Sequence, residues 1–177
     1  MKRGSVNARS ESALRRSAAT TEPSGLGRPP RLATVFQKYD LPLYLVTLCS
    51  SDRKRLFANE SVHVTFREFA MRGYKGKGIA VGRYVLMPDH IHLFVRGGDA
   101  FSLPQWARML KQVVAKKLRQ LGHEPEYWQR GCFDHLIRHS ESYAEKWQYV
   151  RDNPVRAELV KIPGAWPYQG EIVKIEV

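Results

Sequence analysis

The sequence is short of cysteine and of acidic residues and has no long apolar run, and each shortage excludes a class of protein. Only two cysteines, Cys49 and Cys132, occur among 177 residues. Neither a disulfide-rich framework nor a C-x-x-C metal or redox motif is therefore encoded. No stretch reaches the roughly 18 consecutive apolar residues that a membrane helix needs. We expect a water-soluble protein of the reducing cytoplasm.

The shortage of acidic residues leaves a strong positive charge. Lys and Arg number 29 against 17 Asp and Glu, which gives a net charge of +12. Such a surplus raises the local concentration of polyanions and speeds their capture. The charge favours a nucleic-acid partner and a place near the nucleoid. A basic protein that is kept soluble by its charge, or held on an acidic membrane, would have the same composition.

The first 35 residues differ in composition from the rest. They are rich in Arg, Ser, Ala, Gly and Pro and have no apolar periodicity, which is typical of disorder. We predict a disordered basic arm over residues 1–35 that adds sequence-independent phosphate contacts, followed by a single domain over residues 36–177. A reading frame whose start is placed too early is the alternative explanation for the arm.

The rest of the sequence changes between the hydrophobic periods of strands and helices. Asn59 is predicted to cap the first helix, with Gly73 at its far end, and Ser142 to Glu145 has the spacing of a capping box. Pro154 is expected to stop the last helix. The order strand, helix, strand, strand, helix, strand, helix (βαββαβα) predicts a ferredoxin-like α+β fold, an antiparallel sheet with helices on one face. The predicted elements span residues 42–49, 59–71, 79–87, 90–95, 102–121, 133–138 and 142–152.

His90 and His92 are separated by one apolar residue inside a predicted strand. Because successive side chains of a strand point to opposite faces, both imidazoles face one side and Ile91 faces the other. Neutral imidazole is a good metal ligand at pH 7, and two of them leave open positions for a substrate phosphate and one more protein group. The pattern predicts a mononuclear metal site, although two purely structural histidines would have the same spacing.

The last predicted helix carries a candidate nucleophile. Tyr149 and Asn153 lie four residues apart and can share one helix face, where they offer a phenolic oxygen for attack and an amide oxygen for a metal. Tyrosine has a pKa of roughly 10, so it attacks at pH 7 only where a metal or a positive field stabilises the phenolate. Tyr143 is a rival nucleophile, but it has no Asn or Gln four residues further on. A packing tyrosine and a helix-terminal asparagine are the structural alternative.

The second predicted helix is amphipathic, and its polar face is basic. An apolar stripe runs from Leu103 to Leu121. The opposite face is suited to following a phosphate backbone, although many solvated helix faces have the same composition. The basic residues concerned are Arg108, Lys111, Lys116 and Arg119.

Three segments form a series along the chain: Tyr84–Leu93 (YVLMPDHIHL), Tyr127–His135 (YWQRGCFDH) and Tyr149–Arg156 (YVRDNPVR). In this order they resemble the REP-associated tyrosine transposases, which belong with the single-tyrosine transposases of the HUH superfamily. The similarity covers residues 40 to 170, so the basic arm falls outside it. Cys132 also departs from the pattern, because an aromatic residue is more usual there.

The resemblance implies a ferredoxin-like nuclease domain with a metal site and a tyrosine nucleophile. His90, His92 and Asn153 would bind a divalent ion, Mg²⁺ or Mn²⁺. Tyr149 would attack a DNA phosphate, which gives a 5′-phosphotyrosyl intermediate and a free 3′-hydroxyl whose return attack rejoins strands.

The substrate implied by the resemblance is single-stranded DNA with a repetitive palindromic hairpin. Trp128, Gln129 and Arg130 are candidate contacts, because unpaired bases stack on aromatic side chains and on Arg. Core packing is the alternative for Trp128. Asp134 and His135 either orient the metal ligands or are plain surface residues.

Two other functions stay open on the sequence alone. A protein of the same fold could bind structured DNA or RNA without cutting it, and a metal-dependent RNA endonuclease would share the same site. The sequence leaves monomer and homodimer equally open, because the last helix can serve its own site or that of a partner.

Overall fold

The computed structural model of the protein describes residues 41–138 and 140–176, without the side chains of residues 140 and 141. The predicted basic arm over residues 1–35 lies outside the described residues. The elements follow the predicted order, with a short helix and a short strand added at the end. They are β1 (Leu43–Cys49), α1 (Glu60–Lys77), β2 (Ala80–Leu86), β3 (His90–Arg96), α2 (Leu103–Gln120), β4 (Phe133–Ile137), α3 (Ser140–Arg151), α4 (Asn153–Arg156) and β5 (Gln169–Glu171).

The five strands form one antiparallel sheet in the order β4-β1-β3-β2-β5. The central strand β3 carries both histidines. Its register places His92 opposite Thr47 of β1 on one side and opposite Val85 of β2 on the other. The predicted α+β class with an antiparallel sheet is confirmed.

Helices α1 and α2 cover one face of this sheet and enclose the main hydrophobic core. Ile91, Leu93 and Val95 of β3 point into that core and are fully buried. From the helices, Phe66 and Trp106 pack against them. We call this the closed face of the sheet.

Helix α3 packs against the opposite face, and this is the one difference from the predicted arrangement of helices. Tyr143 of α3 packs in a cluster with Phe94, and Val150 packs in another with Val85. Phe94 and Val85 alternate along their strands with residues of the main core, so they point to the other side of the sheet. Periodicity predicts that a helix has an apolar stripe but not which sheet face the stripe covers. We call the side that carries α3 the open face.

The predicted helix ends are partly correct. Asn59 caps α1 as expected, since its side-chain oxygen accepts a hydrogen bond from the Val62 amide at 3.0 Å. Gly73 does not end α1; the helix continues to Lys77, and Gly78 ends it in the left-handed conformation with φ of 63°.

The start of α3 differs from the prediction, whereas its end agrees with it. The helix already begins at Ser140, so the predicted capping box at Ser142 lies inside it. It ends at Arg151, one residue before the predicted end. Pro154 lies beyond that end, in the first turn of the separate helix α4, where a missing N–H costs no hydrogen bond.

Among the described residues, no helix is both long enough and apolar enough to span a membrane.

Candidate active site

The two histidines of β3 lie together on the open face. Their ring centroids are 4.7 Å apart and the ring planes are nearly perpendicular, at 81°. Ile91 between them is fully buried on the closed face. The predicted alternation is therefore present in the structure: one strand delivers two imidazoles to one side and a core residue to the other.

Each histidine is held through its Nδ1 atom. Nδ1 of His90 lies 2.7 Å from Oδ1 of Asp89, and Nδ1 of His92 lies 2.8 Å from Oγ1 of Thr47. Arg53 in turn binds Oδ2 of Asp89 at 3.1 Å. An ionised carboxylate only accepts hydrogen bonds, so Nδ1 of His90 donates to Asp89. The Nε2 atom of a neutral His90 then carries the lone pair.

The surroundings keep His92 neutral. Burial, the neighbouring His90 and the positive charge of Arg156 lower the pKa of His92 to about 3. For Asp89, burial acts to raise the pKa, but the hydrogen bond and charge of His90 and the hydrogen bond from Arg53 lower it overall. A neutral imidazole beside an ionised carboxylate is the protonation state that metal binding requires.

Arg156 of α4 joins the candidate nucleophile to the histidines. Its guanidinium donates to the backbone oxygen of Tyr149 at 2.9 Å and to Oδ1 of Asn153 at 2.5 Å. Its Cζ lies 4.2 Å from the centre of the Tyr149 ring, within the range of a cation–π contact. The same positive charge contributes to the lowered pKa of His92, so the guanidinium lies within electrostatic range of that imidazole.

The two candidate tyrosines of α3 have opposite environments. The side chain of Tyr149 is 59% exposed. Tyr143 is buried against Phe94, with ring centroids 4.7 Å apart. Burial raises the pKa of its hydroxyl. A DNA phosphate has access to the first phenol and none to the second.

The chemistry of the donor set fits a divalent cation. Both imidazoles are oriented through Nδ1, which is how metal-binding histidines are commonly held. Their Nε2 atoms make no hydrogen bond within the part of the chain that the structure describes. Over the same residues, no group of three His, Cys, Asp or Glu side chains suited to a metal occurs. A metal would therefore need the histidine pair, an amide oxygen such as that of Asn153, and the substrate phosphate.

The amide of Asn153 is only partly satisfied. Its oxygen is bound by Arg156, while its buried Nδ2 has no partner among the described residues. Asn153 can act as a ligand once its oxygen exchanges the guanidinium for a metal.

Residues 127–131 lie against the end of β1 and bring two predicted DNA contacts close to the histidines. The amide of Gln129 donates to the backbone oxygen of Cys49 at 2.9 Å, and Cys49 is the register partner of His90. Gln129 and Arg130 are exposed. Their side chains stand at the end of the sheet where the histidine pair lies.

Trp128 and Lys111 are engaged inside the protein. The Trp128 ring stacks on Phe57 with centroids 4.4 Å apart, and its Nε1 donates to the backbone oxygen of Lys111 at 3.0 Å. Nζ of Lys111 donates to the backbone oxygens of Gln129 and Gly131. Both residues fasten α2 to the 127–131 segment.

The other basic residues predicted on the second helix, Arg108, Lys116 and Arg119, are exposed on α2. This helix covers the closed face, opposite the histidines. A strand that touched both would have to pass around the edge or the end of the sheet.

Three residues of this site were missed by the sequence analysis: Thr47, Asp89 and Arg156. Asp89 stands next to His90, so adjacency could have indicated it. Thr47 reaches His92 only through the pairing of β1 with β3, and Arg156 only through the turn between α3 and α4. His135 is exposed on β4.

Comparison with known proteins identifies the family of the chain. The family profile described as "Transposase IS200 like" matches residues 38–153, a range that includes both histidines, Tyr149 and Asn153. A Haemophilus influenzae protein provisionally named a REP-associated tyrosine transposase is 27% identical over 137 residues, covering 71% of this chain and 77% of that protein. The REP-associated tyrosine transposase of Escherichia coli is 29% identical over 92 residues, covering 50% and 52%.

A solved structure supports the fold. The REP-associated tyrosine transposase bound to a REP hairpin superimposes with a TM-score of 0.60 at 17% identity, covering 78% of this chain and 92% of that one. The predicted resemblance to REP-associated tyrosine transposases is thereby confirmed. The chain belongs to the family of IS200-like transposases.

Proposed function

We propose that the protein is a metal-dependent single-strand DNA endonuclease and strand-transferase, acting at repetitive palindromic hairpins through a 5′-phosphotyrosine intermediate. Tyr149 is the nucleophile, and His90, His92 and Asn153 hold Mg²⁺ or Mn²⁺. The solved relative is bound to a REP hairpin, which is the reason for choosing hairpin DNA as the substrate. The site of action is the chromosomal DNA of the cytoplasm.

The observation that carries this proposal is an exposed phenol in the same protein as an oriented histidine pair, with an arginine held against the phenol. The guanidinium of Arg156 lies over the Tyr149 ring, and its positive charge also contributes to the lowered pKa of His92. A phenol needs a nearby positive field before it attacks at neutral pH. The bound ion, when present, supplies further positive charge and polarises the scissile phosphate.

The chemistry is a transesterification. The phenolic oxygen of Tyr149 forms a bond to phosphorus, and the bond from phosphorus to the 3′-oxygen of the preceding nucleotide breaks. The phenolic proton leaves to solvent and the departing 3′-oxygen takes up a proton. Later attack by a 3′-hydroxyl reverses these bond changes and releases Tyr149, so no external energy source is consumed.

Binding of the DNA uses the positive charge on both sides of the sheet. Gln129 and Arg130 contact the strand close to the site, whereas the ring of Trp128 is engaged by Phe57 and Lys111 and supports the segment that carries them. Sequence-independent phosphate contacts come from α2. The residues assigned there are Arg108, Lys116 and Arg119. Lys111, predicted with them, instead supports the 127–131 segment through the bonds of its amine to Gln129 and Gly131. The proposal holds for a monomer and for a homodimer in which α3 serves the partner's site.

The first prediction concerns the nucleophile. We expect the purified protein, with Mn²⁺ or Mg²⁺, to nick a single strand containing a palindromic hairpin and to remain attached to the 5′-phosphate of the downstream fragment. Tyr149→Phe should lose the adduct and lower the cleavage rate by on the order of 10³-fold or more, because it removes the attacking oxygen. Denaturing gels of labelled oligonucleotides measure both effects.

Tyr143→Phe is the matched control, because it deletes the same hydroxyl from the buried tyrosine of the same helix. It should cleave like the unchanged protein. If Tyr149→Phe cuts as well as the unchanged protein, the assignment of the nucleophile is wrong. Tight binding that chelators do not affect, with no adduct under any condition, would identify a non-cleaving hairpin-binding protein instead.

A further inference from the structure

One arginine contacts both groups that the proposed function assigns to α3 and α4. Nη2 of Arg156 donates to the backbone oxygen of Tyr149 at 2.9 Å and to Oδ1 of Asn153 at 2.5 Å. Cζ of the same guanidinium lies 4.2 Å from the centre of the Tyr149 ring. The proposed nucleophile and the proposed amide ligand are therefore connected through a single exposed side chain.

The contact of Arg156 with the Tyr149 carbonyl has an ordinary structural explanation. The last four carbonyl groups of an α-helix have no partner within the helix, and α3 ends at Arg151. The carbonyl of Tyr149 belongs to this last turn, so Arg156 caps the helix. A cap requires only that bond. Capping does not account for the contacts of the guanidinium with the Tyr149 ring and with the Asn153 amide.

The ring of Tyr149 has little other support. Its side chain is 59% exposed. Within residues 41–138 and 140–176, its hydroxyl makes no hydrogen bond and its ring has no second aromatic or cationic contact. An exposed side chain samples several rotamers unless a contact restrains it. Among the described residues, Arg156 supplies that restraint on the proposed nucleophile.

The Asn153 amide is held by the same guanidinium through its oxygen. Its buried Nδ2 has no partner in the part of the chain that the structure describes, and an unsatisfied buried donor is costly. The bond from Arg156 to Oδ1 therefore stabilises this orientation of the amide. A divalent cation at Oδ1 would meet the positive guanidinium at close range, where like charges repel. The cation and Arg156 therefore compete for one oxygen.

We infer that Arg156 is a positioning residue that restrains Tyr149 and competes with the metal ion for Oδ1 of Asn153, leaving that oxygen when a divalent cation binds. The inference rests on the proposed function, since it takes Tyr149 as the nucleophile and Asn153 as a ligand. Two opposite effects follow. Loss of Arg156 should strengthen metal binding, because no guanidinium has to be displaced, and should slow cleavage, because the phenol is no longer restrained.

Calorimetric titration of Mn²⁺ into the protein without DNA tests the first effect. Arg156→Ala should bind Mn²⁺ about ten-fold more tightly than the unchanged protein, as expected when one charge-assisted hydrogen bond no longer has to be broken. Arg151→Ala is the matched control, because it removes the same charge from an exposed position at the end of α3. It should change the affinity by less than about two-fold, since solvent and salt screen an exposed charge.

A second variant separates competition for the oxygen from the general effect of charge. Arg156 lies within electrostatic range of His92, so loss of its charge favours a bound cation by itself. In the Asn153→Ala background, the part of the gain that comes from competition for Oδ1 should disappear, and only the part that comes from charge should remain.

A third variant covers the case in which circular dichroism shows that Arg156→Ala is unfolded. Arg156→Gln removes the charge but keeps an amide N–H that can cap the Tyr149 carbonyl. It should also bind Mn²⁺ more tightly than the unchanged protein, because a neutral amide is displaced from Oδ1 more easily than a guanidinium.

Single-turnover cleavage of a hairpin-containing strand, at saturating DNA and Mn²⁺, tests the second effect. Arg156→Ala should cut about ten-fold more slowly than the unchanged protein, because the attacking oxygen is less well placed. Arg151→Ala should cut like the unchanged protein. Tighter metal binding together with slower cleavage is not expected of a residue that only supports the fold, because damage to the fold lowers both.

Three results would overturn the inference. A folded Arg156 variant could bind Mn²⁺ no more tightly than Arg151→Ala, its gain could be equally large in the Asn153→Ala background, or it could cut as fast as the unchanged protein. If any of these occurs while the unchanged protein binds Mn²⁺ and cuts DNA, only the role of Arg156 is wrong. If the unchanged protein cuts no hairpin DNA, and neither it nor Arg156→Ala binds Mn²⁺, the proposed function fails and the inference fails with it.

Discussion

The two faces of the sheet are built from the same strands but have different roles. On the closed face, α1 and α2 cover an apolar layer in which Ile91 and Leu93 are fully buried. On the open face, α3 covers one end and leaves the other to His90, His92 and their polar partners. Strand β3 serves both, because adjacent residues point in opposite directions. We expect changes on the closed face to alter stability and changes on the open face to alter metal binding and cleavage.

The largest effect on folding should come from the closed face. Ile91→Ala removes a fully buried side chain between the two histidines and should lower the free energy of unfolding by about 2–5 kcal/mol. Urea unfolding, followed by circular dichroism, measures this. His135→Ala, an exposed position on the open face, is the control and should change the value by less than about 0.5 kcal/mol. An equal loss in the free energy of unfolding in the two variants would contradict the expected difference between the faces.

An effect of intermediate size, on metal affinity, is expected from the residues that orient the histidines. Asp89→Asn and Thr47→Val should each weaken Mn²⁺ binding by about 10–100-fold while the protein stays folded, because the first removes the negative charge bound to Nδ1 of His90 and the second removes the hydroxyl bound to Nδ1 of His92. Isothermal titration calorimetry measures the affinity.

Asp99→Asn is the matched control for Asp89→Asn, because it removes the same charge from an exposed position after β3. A similar loss of affinity in this variant would mean that general charge, and not the hydrogen bond to His90, determines metal binding.

The smallest effect concerns a polar pair within the closed face. Nε2 of buried His63 lies 2.8 Å from the hydroxyl of Tyr84, and burial lowers the pKa of His63 below its ordinary 6.5. The unfolded chain therefore takes up a proton first as the pH falls. Stability from the neutral form is complete above about pH 6.5 and is lost progressively below it.

His63→Gln should make the free energy of unfolding less dependent on pH below 6.5. The slope should fall by less than about 1.4 kcal/mol per pH unit, which is the limit for one proton. Urea unfolding at several pH values, in the presence of chelator, measures it. Identical slopes in the variant and the unchanged protein would show that His63 contributes nothing to this dependence.

Local patterns predicted what depends on neighbouring residues. Alternation placed His90 and His92 on one face, and the cap at Asn59 and the order of elements are as predicted. Three features could not be predicted from local sequence, because they depend on distant parts of the chain. The face that α3 covers is set by the fit of Tyr143 and Val150 to the sheet. Thr47 meets His92 through strand register, and Arg156 reaches Tyr149 through a turn.

Predicted DNA contacts show the same limit. A basic stripe and a Trp–Gln–Arg segment were visible in the sequence. Only the structure shows that Lys111 and Trp128 hold α2 to the 127–131 segment, whereas Gln129 and Arg130 stay exposed. The assignment of Tyr149, Asn153 and the two histidines to cleavage remains a prediction.

The alternation of β3 also limits how this strand can change over generations. A single inserted or deleted residue near Ile91 would turn every following side chain to the other side of the sheet. After a deletion, for example, His92 would enter the apolar core and Leu93 would replace it beside Thr47. Substitutions can be sampled one at a time, but a length change here would damage the fold and the site together. Variation in length is expected instead in exposed connections that do not take part in the site.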